Sequence, residues 1–397
     1  MSLEIVKLGD VAETSSGGTP NRSVNEYWKD GFIPWIKSGQ LKDCVITEVE
    51  EFITDVGLKN SSAKIFRKGT LLLALYGATA GKLGFLGLDA ATNQAICSIV
   101  PKSNSLVKEY LYYYLLSIRK KIISDSAGGA QPNISQNYVR ELRVPLPKVS
   151  IQQKIIAVLD RAVDLHKKDQ LLLHKYDELA QSIFIDMFGD PNKNDKGWNI
   201  SILKECTTKI GSGATPTGGK TAYKKSGVSL IRSMNVYDYA FKWKDLAYID
   251  DVQAEKLKNV EVFSNDVLFN ITGASVCRCS IVPNEVLPAR VNQHVSIIRS
   301  DTVKLNPLFL NHLLVSDSMK RKLLHVGSAG GAVMEAITKD QLENLEIILP
   351  PVSLQNDFAE RINLLWLMKK KEEVNLRSSD TLFNSLIQEA FKGELFS

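Results

Sequence analysis

The sequence predicts an α+β protein built from two similar globular domains, each followed by a long helix. The segment Leu146-Pro147-Lys148-Val149-Ser150-Ile151-Gln152 recurs as Leu349-Pro350-Pro351-Val352-Ser353-Leu354-Gln355. Each copy precedes a long segment with helical periodicity and follows short β-prone runs that are broken by turn residues. The repeat period is about 200 residues, far longer than the roughly 20 to 50 residues of a solenoid repeat. It therefore indicates a duplicated domain plus helix.

The two halves share further landmarks ahead of the helices. The turn Gly17-Gly18-Thr19-Pro20 recurs as Gly213-Ala214-Thr215-Pro216, and Lys37-Ser38 recurs as Arg232-Ser233. Asn93-Gln94 recurs as Asn292-Gln293, and an apolar run follows both copies. The order of the landmarks never changes, whereas the side chains between them differ widely. This pattern indicates one scaffold that carries two different binding surfaces.

Residues 1–149 form the first predicted domain. Apolar runs at 71–75 and 96–100 lie between Gly, Pro, Asn and Ser residues, which predicts strands joined by turns. Residues 107–125 predict a helix, and this mixture favours an α+β domain.

Residues 150–189 form the first predicted long helix. Ser150 is a suitable N-cap, with Gln153 as its capping-box partner, and Gly189 and Pro191 end the segment. The residues between them recur at alternating steps of three and four, as in a coiled-coil seam. The members of this seam are Ile155, Val158, Ala162, Leu165, the polar Asp169, Leu172, Tyr176, Leu179 and Ile183.

Residues 190–352 form the second predicted domain, with a helix over 307–324, and residues 353–397 form the second long helix. The middle of this helix, 369–373, is strongly charged, which is typical of a solvated face or of a basic patch over DNA. If a pseudo-twofold axis relates the halves, the two long helices pair antiparallel. The apolar faces left over would then suit helices of another protein. The apolar ends of the second helix contain Phe358, Ile362, Leu365, Leu382 and Leu386.

Composition limits the class of protein. The net charge of +5 and the pI near 8.7 are compatible with a polyanionic partner. No apolar run approaches the roughly 18 residues of a membrane span, and the N-terminus lacks the apolar core of a signal peptide. Five cysteines without a framework spacing indicate a reducing, cytoplasmic setting. Cys277 and Cys279 lack a second ligand pair at metal-site spacing, so we expect no metal site.

Catalytic motifs are incomplete or missing in the sequence. Gly77-Ala78-Thr79-Ala80-Gly81-Lys82-Leu83 is one residue too short for a phosphate-binding loop. No nuclease pattern with an acidic residue two positions before a lysine occurs, and no nucleotide-binding glycine pattern opens a helix. We therefore expect recognition rather than catalysis within this chain, with no metal or cofactor of its own.

The repeated loops carry the side chains that read base edges and hold phosphates. For each of these residues, an alternative interpretation is a turn that satisfies its own backbone. The candidates in the first domain are Lys37, Ser38, Gln40, Thr79, Lys82, Asn93, Gln94, Gln131 and Asn133. Those in the second are Arg232, Ser233, Asn235, Ser275, Arg278, Asn292, Gln293, His294 and Lys339.

In this order and duplication, the Leu8-Gly9-Asp10-Val11 opening, the Asn-Gln before a strand and the Leu-Pro-x-Val-Ser-x-Gln segment resemble a known family. It is the specificity subunit of type I restriction-modification systems, and the resemblance covers essentially the whole chain. It implies two target recognition domains, each reading one half of a bipartite, asymmetric site in double-stranded DNA. It also implies two antiparallel helices that act as spacer and docking surface, with helix length setting the unread gap.

The resemblance implies partners as well. Two methyltransferase subunits would supply adenine methylation with S-adenosylmethionine, and two restriction subunits would supply cleavage that depends on ATP and Mg²⁺. Two alternatives remain at this point. The chain could be a bivalent protein-binding adaptor, or the recognition arm of a system whose catalytic domains are usually fused to it.

Overall fold

The computed structural model describes residues 4–125, 133–216, 218–328 and 336–395. The chain divides into two compact units. The first contains residues 1–170 and 374–397, and the second contains residues 171–373. We use "domain 1" and "domain 2" for the sheet-containing parts of the first and second unit. Among the residues predicted to bind DNA, Gln131 lies outside the described residues.

Domain 1 is built from a five-stranded and a four-stranded sheet with a short two-stranded sheet beside them. Its strands are β1 (Ile5–Lys7), β2 (Ala12–Ser16), β3 (Ile33–Ile36), β4 (Cys44–Ile46), β5 (Glu51–Ile53), β6 (Ile65–Phe66), β7 (Leu71–Ala74), β8 (Leu83–Leu86), β9 (Ala90–Thr92), β10 (Ile96–Pro101) and β11 (Arg143–Pro145). The sheet orders are β2-β10-β7-β8-β4, β5-β3-β9-β6 and β1-β11. Every residue of β7 is buried, as expected for a central strand covered on both faces.

The helices of the first unit precede the long helix. They are α1 (Leu8–Val11), α2 (Asp55–Lys59), α3 (Lys108–Ser117), α4 (Arg119–Asp125) and α5 (Gln136–Glu141), and the long helix is α6 (Val149–Phe188). The helix predicted over 107–125 is thus two helices that meet at Ile118, which caps α3 with φ −98° and ψ 7°. The sequence pattern did not reveal this break.

Domain 2 repeats the architecture. Its strands are β12 (Ile200–Ile202), β13 (Thr207–Ser212), β14 (Val228–Ile231), β15 (Val236–Tyr237), β16 (Ala240–Phe241), β17 (Ala247–Ile249), β18 (Glu261–Val262), β19 (Val267–Asn270), β20 (Cys279–Ile281), β21 (Ala289–Val291), β22 (Val295–Ser300) and β23 (Glu346–Ile348). The orders β13-β22-β19-β20, β17-β14-β21-β18 and β12-β23 match those of domain 1. A β15-β16 hairpin takes the place of the edge strand β4.

The helices of the second unit follow the same plan. They are α7 (Asp251–Lys256), α8 (Pro307–Val315), α9 (Asp317–Ser328), α10 (Lys339–Glu343) and the long helix α11 (Val352–Lys392). The helix predicted over 307–324 also breaks into two, here at Ser316, whose ψ of 141° is extended. The breaks at Ile118 and Ser316 lie at neighbouring positions of the repeat.

A buried glutamine explains why the Leu-Pro-x-Val-Ser-x-Gln segment recurs. Gln152 is fully buried, accepts a bond from the Val107 N–H (2.8 Å) and donates to the Ser105 and Pro147 carbonyls. Gln355 makes the same three bonds to Asn306, Lys304 and Pro350. Each glutamine therefore ties the start of a long helix to the helix of its own domain.

Because α6 begins at Val149, Ser150 lies in the first turn and not at the predicted N-cap. The Lys148 carbonyl already accepts bonds from the N–H groups of Ile151 and Gln152, at 2.8 and 3.1 Å. The turn therefore starts before Ser150.

The two long helices pair antiparallel, as predicted, in each unit taken by itself. In the first unit the early part of α6 meets the late part of α11, where His166 Nδ1 lies 3.1 Å from an Asp380 carboxylate oxygen. In the second unit the late part of α6 meets the early part of α11, where Lys369 pairs with Asp177. These two contacts occupy equivalent positions of the repeat.

The buried seam of α6 is shifted from the predicted one at every second position. Ala162 and Asp169 are buried as expected. However, Leu159 is fully buried where the prediction had Val158, and Ala180 is buried where it had Leu179. From each correctly predicted position, the next residue of the buried seam therefore lies four residues further along the helix and not three. The seam differs from the predicted one because α6 packs against its own domain as well as against α11.

Candidate DNA-recognition surfaces

Three landmark loops meet at one edge of domain 1. The Gly18 N–H donates to the Thr92 carbonyl (2.8 Å), and the Asn93 N–H donates to the Ile36 carbonyl (3.0 Å). The Thr19 hydroxyl donates to Oε1 of Gln94. The Gly-Gly-Thr-Pro turn, the Lys37-Ser38 turn and the Asn-Gln loop, which are far apart in sequence, are therefore joined directly.

Domain 2 joins the same three loops, with the first bond shifted by one residue along each loop. The Gly213 N–H donates to the Asn292 carbonyl (3.2 Å), and the Asn292 N–H donates to the Ile231 carbonyl (3.0 Å). The Thr215 hydroxyl donates to Oε1 of Gln293. The landmarks recur in the sequence because they build the same edge twice.

A glycine-bearing loop lies next to this edge in both domains. Gly77 has φ +82° and Gly273 has φ +73°, a conformation that side chains rarely adopt. Ile134 donates to the Leu75 carbonyl and Ile337 to the Ile271 carbonyl, both at 2.8 Å. The segments that hold Asn133 and Lys339 are therefore anchored beside these loops.

An open cleft of about 550 Å³ lies at the edge of domain 1. Lys37 Nζ lies 3.1 Å from a Glu50 oxygen and 2.7 Å from a Glu51 oxygen. Arg22 also pairs with Glu51, and its guanidinium stacks 3.8 Å from the ring centre of Trp28. The cleft therefore carries alternating charges rather than a uniformly positive surface.

The charges of this network are fixed by their neighbours. The hydrogen bond from Lys37 to Glu51 raises the pKa of Lys37, and a second bond to Glu50 raises it further. Partial burial raises the pKa of Glu51, but bonds from Lys37 and Arg22 outweigh it, so the pKa is lowered overall. Both shifts favour the charged forms of Lys37 and Glu51 at neutral pH. These side chains present both phosphate-binding cations and carboxylates that can accept from a cytosine amino group.

Sequence reasoning missed Arg22, Glu50 and Glu51. The antiparallel pairing of β3 with β5 sets Trp35 opposite Glu51 and so brings Lys37 to the carboxylates. The only signal in the sequence was a pair of glutamates ahead of a short strand, which does not specify a partner.

The cleft of domain 2 has a different chemistry. It has a volume of about 370 Å³ and is lined by Tyr237 and by the loop that contains Gly273, whereas the cleft of domain 1 is lined by the turn that contains Thr19. Lys242 Nζ lies 3.6 Å from the ring centre of Tyr237, and the Arg278 guanidinium lies 4.3 Å from it. A bond to Lys242, followed by the charges of Lys242 and Arg278, lowers the pKa of Tyr237. Thr272 and His294 add a hydrogen-bonded pair at 2.6 Å. Tyr237, Lys242 and Thr272 were also missed by sequence reasoning.

Two of the predicted base-reading residues serve the backbone of their own turns. Asn235 is fully buried; its oxygen accepts from the Arg232 N–H and its amide donates to the Lys242 carbonyl (2.9 Å). Because it is buried, it cannot reach DNA, and its predicted base contact is corrected to a role in shaping the loop. Gln40 makes the matching bond to the Lys37 N–H (3.2 Å) but remains half-buried.

The Asn-Gln pairs divide into an inner and an outer residue. Asn292 is 5% exposed, and its oxygen accepts from the His294 N–H at 3.1 Å. Asn93 is half-buried, whereas Gln94 and Gln293 are exposed. The glutamine of each pair is therefore the residue that faces solvent.

The remaining candidates lie around the clefts. Ser38 lines the cleft of domain 1, and Ser233 and Ser275 line that of domain 2. Lys82 bonds to Asp43 (3.1 Å) and Arg232 stacks 5.4 Å from the Tyr223 ring centre, while Thr79 is half-buried. Lys339 does not line the cleft and forms an ion pair with Glu343 at 3.4 Å.

The predicted docking residues of the long helices divide by exposure. Ile155, Phe358, Ile362 and Leu365 are buried in the cores of their own units and are therefore unavailable as docking residues, which corrects that part of the prediction. Val158, Ile183 and Leu386 are half-buried. The exposed members are Leu165, Leu172, Leu179 and Leu382.

Within the described residues, no helix combines the length and the hydrophobicity that a membrane span requires. No cluster of three or more His, Cys, Asp or Glu side chains there has the arrangement of a metal site.

Comparison with known proteins places this architecture in a family. The family model for the type I restriction modification DNA specificity domain matches residues 2–174 and again residues 195–376. The MjaIX type I restriction enzyme specificity subunit of Methanocaldococcus jannaschii is 27% identical over 419 aligned residues, which cover 99% of this chain and 93% of that protein.

Two solved structures share the fold. One comes from a study of complex assembly and conformational transition of the type I R-M system. It has a TM-score of 0.66 at 18% identity and covers 100% of both chains. The other is the S subunit of a type I system from M. genitalium, with a TM-score of 0.54 at 12% identity, covering 98% of this chain and 96% of that one.

The chain therefore belongs to the type I restriction modification DNA specificity family and carries the family's domain twice. Domains 1 and 2 are the two target recognition domains of a specificity subunit, which favours DNA recognition over the protein-adaptor alternative.

Proposed function

We propose that domains 1 and 2 each read one half of a bipartite, asymmetric target in double-stranded DNA. The observation that carries this proposal is the edge of joined loops, which is built twice from the same landmark loops and is surrounded by different side chains. An equal frame holds each domain in the same way toward DNA, whereas the unequal side chains select different bases. The two half-sites therefore differ in sequence.

The reading residues are assigned by exposure. In domain 1 we assign base or phosphate contact to Arg22, Lys37, Gln94 and the carboxylates of Glu50 and Glu51. In domain 2 we assign it to Arg232, Tyr237, Arg278, Gln293 and His294. Cations in these clefts serve both phosphate binding and guanine recognition.

Catalysis is assigned to partner subunits. Two methyltransferase subunits would use S-adenosylmethionine to methylate adenine, and two restriction subunits would use ATP and Mg²⁺ to cleave DNA, as in the family that the sequence resembles. The complex would act on DNA in the cytoplasm. The exposed Leu165, Leu172, Leu179 and Leu382 support docking of methyltransferase helices on the long helices. In this proposal, the length of those helices sets the unread gap between the half-sites.

The test is co-expression of the full chain with the methyltransferase encoded beside it, followed by native mass spectrometry and methylation sequencing of host DNA. We expect a complex of two methyltransferases with one copy of this chain, and methyl-adenine at a split motif with two different half-sites. A methyl mark at a continuous motif would contradict the bipartite reading. A chain that binds no methyltransferase and leaves the genome unmarked would contradict the whole proposal.

A salt titration tests DNA contact independently of the partners. Fluorescence anisotropy on mixed-sequence duplexes should show affinity that falls steeply with salt, because cations in the clefts displace counterions from phosphates. Affinity that does not change with salt would favour the protein-adaptor alternative.

A further inference from the structure

The same side-chain hydrogen bond occurs in both domains, between Thr19 and Gln94 and between Thr215 and Gln293. In both domains the threonine of the turn donates its hydroxyl to Oε1 of the glutamine. Both glutamines are exposed, so neither bond fills a gap in a core. A hydrogen bond between exposed side chains contributes little to stability. Its recurrence at equivalent positions therefore calls for another role.

The backbone around each threonine is held with little freedom. A Cβ atom on Gly17 would lie 2.1 Å from the Thr92 carbonyl oxygen, and one on Gly213 would lie 1.7 Å from the Val291 carbonyl oxygen. The turn can therefore approach the Asn-Gln loop only because a glycine stands there. In domain 1, the buried Trp35 also donates its indole N–H to the Gly18 carbonyl, at 2.9 Å.

We propose that Thr19 and Thr215 are positioning residues that orient the amides of Gln94 and Gln293, so that each glutamine presents its NH₂ group to a hydrogen-bond acceptor on a base edge. This inference rests on the proposed reading of DNA by the two edges. It deepens that function, because it assigns the donor and acceptor chemistry of one position in each half-site.

The chemistry follows from the two ends of the amide. A free glutamine offers both a donor and an acceptor, and it can rotate to suit either partner. With Oε1 held by the threonine hydroxyl, the outward group is the NH₂ donor. Purine N7, guanine O6 and thymine O4 accept in the major groove, whereas adenine N6 and cytosine N4 donate. Each glutamine therefore selects a base that turns an acceptor toward it.

The placement of the threonines supports this role in domain 1. Thr19 lines the same cleft as Lys37 and Arg22, so the residue that holds the Gln94 amide lies beside two cations. Lys and Arg also select acceptors, above all those of guanine. The amide and the cations thus favour the same kind of base edge.

The experiment uses the full chain co-expressed with its methyltransferase, with methylation sequencing as the readout. The variants are Thr19→Val and Thr215→Val, which remove the hydroxyl at nearly constant shape, and Thr19→Ser and Thr215→Ser, which keep it. We expect Thr19→Val to lower base discrimination roughly tenfold at one position of one half-site. Thr215→Val should do the same in the other half-site, and the serine variants should keep the wild-type preference.

A change of the amide itself adds a second measurement. Gln94→Glu replaces the donor by an acceptor, so the preferred base at that position should change to cytosine, which offers an amino donor and no acceptor in the major groove. A merely structural glutamine would instead give an unchanged motif together with a lower melting temperature.

The possible outcomes distinguish a failure of the positioning role from a failure of the proposed function. If the wild-type chain marks a split motif but the valine variants keep its base preference, the positioning role is wrong and the proposed function stands. If the valine variants lower methylation equally at every sequence, the threonines only support the fold, and the inference is again wrong. If the wild-type complex leaves no mark, the proposed function fails, and this inference fails with it.

Discussion

Domains 1 and 2 have the same frame but different clefts. In domain 1, Lys37 is held by two glutamates and Arg22 lies over a tryptophan. In domain 2, Arg232 bonds to the Asp245 carbonyl and stacks on Tyr223, and it makes no ion pair with a carboxylate among the described residues. The comparison teaches that backbone contacts set where a reading side chain stands, whereas the neighbours on adjacent strands set what it can read.

The largest expected effect tests whether the frame is shared. Gly17→Val and Gly213→Val would drive a side chain into a backbone carbonyl, and each should cost about 3 kcal/mol, the upper end for overpacking. We expect similar losses in both domains, measured by urea unfolding, together with loss of recognition at one half-site. Gly211→Val is the control, because a Cβ atom there meets nothing within 4 Å and Gly211 lines neither cleft. Clearly unequal losses would mean that the two frames differ.

The second prediction tests the difference between the clefts. Arg232→Ala should lower discrimination by about 2 kcal/mol at one position of the half-site read by domain 2, as expected for a lost base contact. Lys37→Ala should cost less at the other half-site, because Glu50 and Glu51 already occupy the Lys37 ammonium. Binding to duplexes with single base changes measures both effects. An equal loss of affinity for all sequences would identify a phosphate contact instead.

The third prediction compares Tyr113 with His312, which occupy equivalent positions of the repeat. Tyr113 donates its hydroxyl to Asp160 at 2.6 Å, whereas His312 is 2% exposed, and neither of its ring nitrogens has a hydrogen-bond partner within the described residues. Burial lowers the pKa of His312 to about 3. The unfolded chain therefore binds one more proton below about pH 6.5, and stability falls as the pH drops toward 3.

This pH dependence can be measured with His312→Phe, which suits the aromatic surroundings of Tyr239 and Phe358. Between pH 6.5 and 4, the wild type should lose about 1.4 kcal/mol per pH unit more than the variant. Urea unfolding at a series of pH values gives both slopes, and a comparison at pH 7.5 measures the cost of the substitution alone. Parallel slopes would show that His312 is not the group that titrates.

The smallest expected effect concerns Glu51, which pairs with both Lys37 and Arg22 in domain 1 and acts as a clamp on them. Glu51→Gln should release Lys37 and Arg22, which strengthens sequence-independent DNA binding and steepens its salt dependence. The change in folding stability should stay within a few tenths of a kcal/mol, because these groups are partly exposed. Glu48→Gln is the control, with the same change of net charge at an exposed position. Equal effects of Glu51→Gln and Glu48→Gln would show that Glu51 does not restrain Lys37 and Arg22.

The duplication, the two long helices and the loops that form each edge can be predicted from the amino-acid sequence alone. This is possible because residues that dictate backbone structure recur in place. Gly17 and Gly213 permit close approach, the Asn-Gln loops bond to the neighbouring strand ends, and Gln152 and Gln355 tie the long helices to their domains. Such contacts depend on residue type at a fixed position, so a repeat in the sequence is a repeat in the structure.

Which side chains are neighbours follows from the packing of the folded chain and could not be predicted from the sequence. The face that α6 buries depends on packing against a domain as well as a helix, so Leu159 is buried and Leu165 is exposed although both fit a helical period. The clamp on Lys37 and the stacking on Tyr237 join residues on separate strands or turns. Strand pairing sets such neighbours, and a pattern along the chain carries no information about the strand that lies beside it.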